Sequence, residues 1–134
     1  MDERILLDTT AILAYLWGEK GGAAVHARLA AASRGKAGIL ASEISFAEIA
    51  DVVGRKRGAR AAEAALQIVS HLPLRFVPCT RDLLVEAGRL KAGARASLAD
   101  CVIAASAARE ACPVLTADPD FEDLRGAAGV VFLR

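Results

Sequence analysis

Short apolar runs alternate with helix-length segments along this chain of 134 residues. Each run is rich in Ile, Leu, Val or Phe, and the runs predict strands over 4–8, 38–41, 74–77, 113–116 and 130–133. Helices are predicted in the intervening segments, over 11–17, 23–32, 45–57, 59–71, 80–91 and 97–110. Strands separated by helices form parallel sheets with helices on both faces. The alternation therefore predicts an α/β fold with a central parallel sheet of about five short strands.

The size and composition of the chain predict one well-cored domain over residues 1–134. Thirty alanines and only 4% aromatic residues favour closely packed helices over a β-sandwich. The net charge of +1 excludes a whole-protein field that would draw the chain onto nucleic acid or membrane. Three cysteines without close metal-ligand spacing (Cys79, Cys101 and Cys112) are interpreted as buried thiols in a reducing compartment.

The chain shows no signal for a membrane or for export. No uncharged apolar stretch approaches the roughly 18–20 residues that a spanning helix needs. The start, Met1-Asp2-Glu3-Arg4, lacks the basic-then-apolar order of a signal peptide. We therefore expect a cytoplasmic protein with no membrane partner.

Hydroxyl residues and glycines mark several predicted helix ends. Thr9 and Thr10 are expected to cap the first helix, which Gly18 would end. Ser45 and Glu48 have the spacing of a capping box, in which each side chain pairs with a backbone N–H at the start of a helix. Thr80 and Ser97 are expected to begin the two later helices.

Four acidic residues lie where apolar side chains are expected: Asp8, Glu48, Asp100 and Asp118. An ionised carboxylate in apolar surroundings is costly unless a cation or several donors compensate it. No Lys, Arg or His lies within two residues of any of the four. Asp8 and Asp118 lie at or just past the carboxyl ends of predicted strands, and the other two lie in the first turns of helices that begin near the same end of the sheet. Ligands of such sheets bind at the carboxyl ends of the strands.

Together the four acids predict a metal site. Mutually repelling carboxylates are best neutralised by a divalent cation, and an all-oxygen ligand set suits Mg²⁺ or Mn²⁺ rather than zinc. Such ions activate water and clamp a phosphodiester. Taken singly, each acid has another interpretation: Asp8 as a helix cap, Glu48 as the partner of Ser45, Asp100 on a solvated helix face, and Asp118 in a turn.

The spacing of four segments resembles that of the PIN domain, and within it the toxins of VapBC-type toxin–antitoxin pairs. The acids are separated by 40, 52 and 18 residues, and the resemblance covers nearly the whole chain. The segments are Leu6-Leu7-Asp8-Thr9-Thr10-Ala11-Ile12-Leu13, Ser42-Glu43-Ile44-Ser45-Phe46-Ala47-Glu48-Ile49, Leu98-Ala99-Asp100-Cys101-Val102-Ile103-Ala104 and Leu115-Thr116-Ala117-Asp118-Pro119-Asp120-Phe121.

The resemblance implies a PIN-like three-layer fold and a metal-dependent ribonuclease whose acids are Asp8, Glu48, Asp100 and Asp118. It also implies a hydroxyl contribution from Thr9 or Thr116. Two interpretations of Asp120 stay open: an auxiliary to Asp118 or its replacement, and a solvated acid of the turn. A small antitoxin with a tail that folds along the toxin, and a toxin homodimer, are implied as partners. Tyr15, Leu16 and Trp17 are interpreted as part of the surface for that tail, and a mean hydropathy of +0.36 supports exposed apolar surface.

Two basic clusters are predicted to hold RNA phosphates near the acids. They are Arg55, Lys56, Arg57 and Arg60 after the Glu48 helix, and Arg89, Lys91 and Arg95 before the Asp100 helix. Two other functions stay open. An aspartate-nucleophile phosphatase or phosphoacceptor domain is disfavoured because Thr10 stands where the phosphatases need a second Asp. The other alternative is a catalytically silent PIN-like module that binds RNA or a partner protein.

Overall fold

A computed structural model describes residues 4–35 and 38–134. Met1 to Glu3, on which the expectation of a chain without a signal peptide rests, lie outside the described residues. The strands are β1 (Ile5–Leu7), β2 (Ile39–Ser42), β3 (Arg75–Val77), β4 (Val114–Thr116) and β5 (Val130–Phe132). The helices are α1 (Thr9–Trp17), α2 (Gly22–Ser33), α3 (Ile44–Arg57), α4 (Ala59–Ser70), α5 (Arg81–Lys91) and α6 (Leu98–Arg109), and a 3₁₀ helix spans Pro119–Leu124.

The five strands form one parallel sheet in the order β3-β2-β1-β4-β5. The chain builds the sheet outward from β1 to β3 and then crosses back, so that β4 pairs with the other side of β1. In register, Leu6 of β1 lies opposite Leu40 on one side and Val114 on the other. The gap beyond the carboxyl ends of β1 and β4 is therefore the point at which the strand order reverses, where open α/β sheets bind ligands.

Alternate residues of the central strands face two separate cores. Leu6, Leu40 and Val114 pack with α5, α6 and Phe121 of the 3₁₀ helix on one face. Ile5, Leu7, Ile39 and Leu115 pack with α1 to α4 on the other face. Because strands covered on both faces have no wet side, they carry continuous apolar runs rather than alternating ones. The predicted three-layer α/β fold with a five-stranded parallel sheet is confirmed.

Several predicted helix ends are confirmed, and the predicted start of the first helix is wrong. The hydroxyl oxygens of Thr80 and Ser97 accept the N–H groups of Leu83 and Asp100, and Gly18 ends α1 with a φ of 63°. The first helix begins at Thr9 and is capped by Asp8, which confirms the interpretation of Asp8 as a helix cap, while the prediction of Thr9 and Thr10 as caps is wrong. The 3₁₀ helix was not predicted, because six residues are too few to show a helical period.

Candidate active site

Asp8 is buried at the reversal point, directly after β1. Its exposed fraction is 1%. One carboxylate oxygen, Oδ1, accepts the N–H of Ala11 at 2.8 Å, so the side chain caps α1. Burial raises the pKa of Asp8 to about 6, and the Thr116, Ala11 and Thr10 hydrogen bonds oppose that shift. The charge of Asp118 raises the pKa further.

Two threonine hydroxyls also hold Asp8, one from the first turn of α1 and one from the end of β4. Thr116 Oγ1, at the end of β4, donates to Asp8 Oδ2. Thr10 Oγ1 lies 2.8 and 2.9 Å from the two oxygens of the same carboxylate. Each hydroxyl oxygen also accepts a backbone N–H of the turn after β4 at 2.9 Å. Thr116 Oγ1 accepts the N–H of Asp118, and Thr10 Oγ1 accepts the N–H of Ala117. Thr116 therefore contacts a candidate ligand, as the resemblance implied.

Glu48 is positioned by a pair of hydroxyls between α1 and α3. Thr9 Oγ1 donates to Glu48 Oε1, and Ser45 Oγ lies 2.9 Å from Thr9 Oγ1. Since the single hydroxyl proton of Thr9 goes to the carboxylate, Ser45 is the donor to Thr9. The capping box predicted for Ser45 and Glu48 is wrong, because α3 begins one residue earlier, at Ile44, and no side chain caps it. Ser45 is fully buried and faces α1 instead.

Asp100 shows that the acids lie close together. It sits in the first turn of α6, after the cap Ser97, and is 8% exposed. Its pKa is raised to about 7, first by burial and then by the negative charges of Asp118, Glu48 and Asp8 in that order. All three other predicted acids are therefore near enough to Asp100 to oppose its ionisation. The structure brings together the four acids that the sequence singled out.

Asp118 and Asp120 lie at the more open side of the cluster. Asp118 is half-buried and caps the 3₁₀ helix, with its Oδ1 accepting the N–H of Asp120 at 2.9 Å. Asp120 is exposed, and its charge acts on Arg95. Among the described residues, Asp120 is not one of the charges that raise the pKa of Asp8 or Asp100. This placement favours Asp118 over Asp120 as a ligand candidate.

The donor set fits a hard divalent cation in chemistry, although it is not preassembled. Four carboxylates converge, and the pKa values of Asp8 and Asp100 are raised, first by burial and then by the neighbouring carboxylates. Oxygen-only sets of this kind suit Mg²⁺ or Mn²⁺. Within residues 4–35 and 38–134, no group of three acidic, His or Cys side chains is already arranged to hold an ion. A bound cation would therefore have to draw the repelling carboxylates inward.

The first basic cluster lies at the far end of α3 from Glu48. Arg55 to Arg57 follow Glu48 by seven to nine residues, which is about 10–14 Å at 1.5 Å per residue. Arg55 pairs with Asp51 at 2.8 Å, and Arg57 lies 4.3 Å from the centre of the Trp17 ring, where Lys56 also lies at 5.7 Å. Arg60, in the first turn of α4, is exposed. The structure does not bring this cluster to the acids.

The second basic cluster lies nearer the acids. The charge of Lys91 acts on Cys101, the neighbour of Asp100. Arg95 pairs with Asp123 of the 3₁₀ helix at 3.1 Å, and Arg89 is exposed on α5. A role for either cluster in binding RNA stays a prediction.

The aromatic and cysteine side chains of interest range from half-buried to fully buried. Tyr15 and Trp17 are half-buried, and the Tyr15 ring stacks on His26 at 6.0 Å. Phe121 is fully buried in the core. Cys101 and Cys112 are buried as predicted, while Cys79 is half-buried with its Sγ 3.8 Å from Ser42 Oγ.

Sequence reasoning missed Thr10 as part of the site and misassigned Ser45. Both hydroxyls were interpreted as local helix caps, whereas both make contacts between elements that are distant in the chain. The only available signal was the pair of adjacent threonines directly after a strand-ending acid, and it fits a simple cap equally well.

The fold, with its acids gathered at the strand reversal, defines a class of small α/β proteins. The PIN domain family model matches residues 5–127, and the chain belongs to that family. A comparison with curated proteins gives no match. No helix in the described part of the chain is both long and apolar enough to cross a bilayer.

Among solved structures, the fold is similar to that of VapBC toxin–antitoxin proteins. VapBC2 from Rickettsia felis, bound to a promoter DNA fragment, shares 17% identity at a TM-score of 0.74 and covers 98% of this chain and 99% of its own. DNA-bound VapBC from Salmonella typhimurium shares 17% identity at a TM-score of 0.73, and it also covers 98% of this chain and 99% of its own. VapBC-5 from Mycobacterium tuberculosis gives 25% identity and 0.61, covering 98% of both chains. The resemblance to VapBC toxins is confirmed at the level of the fold.

Proposed function

We propose that this PIN domain is a Mg²⁺- or Mn²⁺-dependent endoribonuclease that hydrolyses RNA phosphodiester bonds. The observation that carries the proposal is that two buried acids, Asp8 directly after β1 and Asp100 in the first turn of α6, lie near Glu48 and Asp118, whose charges act on Asp100. Such a concentration of uncompensated negative charge at the ligand-binding end of an α/β sheet is the arrangement that a divalent-metal hydrolase needs. Membership of the PIN family supports the same activity.

In this proposal, Asp8 and Asp100 are the direct metal ligands, since both are buried and their short side chains hold an ion close to the backbone. Glu48 and Asp118 complete the ligand set or bind through water. A bound Mg²⁺ lowers the pKa of water and neutralises charge on the scissile phosphate. Thr9 orients Glu48 through its hydroxyl, and Thr116 orients Asp8. The half-buried Asp118 borders the open side, by which a phosphodiester would enter.

We further propose that the chain is the toxin of a toxin–antitoxin pair, with a small antitoxin protein as its partner and a homodimer as its working form. The support is that the fold is similar to that of VapBC structures, among them VapBC-5, a member of a family of toxin–antitoxin systems. A basic side chain of the antitoxin would compensate the acids in place of the metal. Tyr15, Leu16 and Trp17 are all half-buried and offer the partner less surface than the sequence suggested.

A catalytically silent PIN-like module that binds RNA or a partner is the second candidate function. One observation favours it: Asp8 already accepts hydrogen bonds from Thr116, Thr10 and Ala11, and no three acids of the described residues are arranged around an ion. In this case the hydrogen bonds alone would hold the acids, and metal would neither bind nor matter.

Cleavage of a structured RNA by the purified protein distinguishes the two functions. The proposal expects cleavage that needs Mg²⁺ or Mn²⁺ and stops with EDTA, and that is lost in Asp100→Asn. Glu43→Gln is the matched control, since Glu43 is an exposed acid at the start of α3. RNA binding without cleavage by wild type at millimolar metal would establish the silent module instead.

A further inference from the structure

The turn after β4 is tied to Asp8 by two hydroxyls that have the same bonding pattern. Thr116 accepts the Asp118 N–H, and Thr10 accepts the Ala117 N–H, each at 2.9 Å. Both threonine oxygens also lie within hydrogen-bond distance of the Asp8 carboxylate. Two successive backbone N–H groups of one turn are thus connected to one carboxylate through two side chains, one from the first turn of α1 and one from the end of β4.

The direction of these hydrogen bonds follows from what each group can donate. A backbone N–H only donates, so both threonine oxygens must act as acceptors toward the turn. Each hydroxyl then has one proton left, and an ionised carboxylate only accepts. The two protons therefore point at Asp8. The two threonine oxygens lie 3.4 Å apart, but neither hydroxyl needs a hydrogen bond to the other.

Thr10 differs from Thr116 in what its loss would cost the fold. Thr116 is fully buried within the sheet, whereas Thr10 is half-buried and its partner Ala117 is exposed. An exposed N–H that loses its partner binds water instead, so removal of the Thr10 hydroxyl leaves no buried polar group unpaired. The hydroxyl of Thr10 is therefore available to test separately from folding.

We propose that Thr10 is a positioning residue, which sets the distance between Asp8 and Asp118 by linking the Asp8 carboxylate to the backbone of the turn that carries Asp118. This inference rests on the proposed function, because it treats both acids as metal ligands. Residues that orient metal ligands by hydrogen bonds typically change metal affinity about 10- to 100-fold when removed. Because Thr10 contacts one metal ligand and the turn that carries another, its removal should change the affinity for the metal ion even when no RNA is present.

The test measures Mn²⁺ binding by calorimetry without RNA, in wild type, Thr10→Val, Thr10→Ala and Thr10→Ser. Valine keeps the shape of threonine and loses the hydroxyl, alanine removes any steric conflict, and serine keeps the hydroxyl. We expect Mn²⁺ affinity to fall about 10- to 100-fold in the valine and alanine variants, and serine to restore it to within about threefold of wild type.

Thr80→Val is the matched control. Thr80 also uses its hydroxyl at a helix start, where it accepts the Leu83 N–H at 3.3 Å, but it caps α5 and contacts none of the four acids. This variant should lower the melting temperature and leave Mn²⁺ affinity unchanged. A general loss of stability therefore cannot imitate the expected result.

Each outcome decides a separate statement. Wild-type affinity in Thr10→Val and Thr10→Ala, with normal Mn²⁺ binding by wild type, overturns the positioning role and leaves the proposed nuclease intact. Equal loss in Thr10→Ser overturns it as well, because the hydroxyl would then not be the reason. If wild type itself binds no Mn²⁺ and cuts no RNA, the proposed function fails and the positioning role fails with it.

Discussion

At the scale of single residues, Asp8 is subject to two opposing influences. Burial disfavours its charge, while three hydrogen-bond donors favour it, and the balance leaves its pKa raised to about 6. Burial disfavours the charge of Asp100 as well, and the negative charges of three other acids disfavour it further, so its pKa is raised to about 7. The two acids are therefore expected to respond differently to the loss of charge.

Asp100→Asn should abolish RNA cleavage and stabilise the metal-free protein. The substitution removes a candidate metal ligand and also the repulsion from Asp118, Glu48 and Asp8. Asp8→Asn should abolish cleavage too, but without the gain in stability, because its single amide oxygen cannot replace both carboxylate oxygens, one of which accepts from Ala11 and the other from Thr116. The single-turnover cleavage rate should fall by roughly a hundredfold or more in each variant, which is the usual loss when one group that stabilises transition-state charge is removed. Near-wild-type rates in both variants would remove these acids from the mechanism.

The same pKa values predict how the stability of the metal-free protein depends on pH. Unfolded aspartates titrate near 3.8, and the folded values are about 6 and 7, so the folded state holds more protons between about pH 4 and 7. The free energy of unfolding must then fall as pH rises through this window. Asp8 alone accounts for a change on the order of 2–3 kcal/mol.

Urea titrations in EDTA at pH 5, 6, 7 and 8 measure this dependence. Asp100→Asn is the control and should show a shallower slope, because one of the two titrating groups is absent. A free energy of unfolding that increases from pH 5 to pH 8 would contradict the raised pKa values.

At the scale of elements, the close approach of α1 and α2 depends on a glycine. A Cβ added to Gly22 would lie 2.5 Å from the carbonyl oxygen of Ala14 in α1, a backbone atom that cannot move aside without shifting the helix. Gly88, in the exposed part of α5, has nothing within 4 Å of the same position. The close helix contact therefore requires a glycine at position 22, whereas the space around position 88 would admit a side chain.

Gly22→Ala should destabilise the protein by about 1–3 kcal/mol, the usual cost of forcing extra volume into a packed contact. Gly88→Ala should stabilise it by about 1 kcal/mol, because alanine is the better helix former and no neighbour opposes it. Thermal or urea unfolding of the two variants beside wild type gives both values. Equal effects of the same sign would show that the α1–α2 contact can relax.

Most elements were predictable because their signals are local. Gly18, Thr80 and Ser97 end or begin helices through contacts with residues a few positions away. The four acids were recognised because charge among apolar neighbours is visible in the sequence alone. Their convergence was expected from the parallel sheet, in which all strand ends with the same polarity share one edge.

What could not be predicted depends on contacts across the chain. Ser45 was interpreted as half of a capping box, since nothing near it reveals that Thr9 of another helix would face it. The link from Thr10 to Ala117 joins residues that are distant in the chain. The strand order, with β4 beside β1, is likewise not encoded in any single run of apolar residues.

At the scale of the whole molecule, the excess of negative charge at one edge of the sheet should couple folding to metal. Mg²⁺ or Mn²⁺ that binds only the folded state should raise its stability by about 2.7 kcal/mol once the free ion exceeds its Kd a hundredfold. Differential scanning calorimetry in EDTA and in millimolar Mg²⁺ measures the shift. Asp100→Asn should show little of it, and no shift in wild type would exclude a metal-stabilised fold.

The proposed toxin role predicts a growth phenotype that depends on the acids. Expression of wild type alone should arrest growth, while Asp100→Asn at equal protein level should not. Co-expression with the product of an adjacent small gene should restore growth and yield a copurifying complex. If wild type is harmless and binds no such product, the toxin role fails, although cleavage in vitro could still stand.

The strand order also has a consequence for how the protein is made. β1, the first of the five described strands to be synthesised, stays without one of its two neighbours until β4 has been made. A nascent chain that carries Asp8, Glu48 and Asp100 still lacks Thr116, Asp118 and the turn that orients them. The proposed nuclease thus cannot assemble beside the translating ribosome until synthesis has passed β4, and products of premature termination upstream of that strand would be inert.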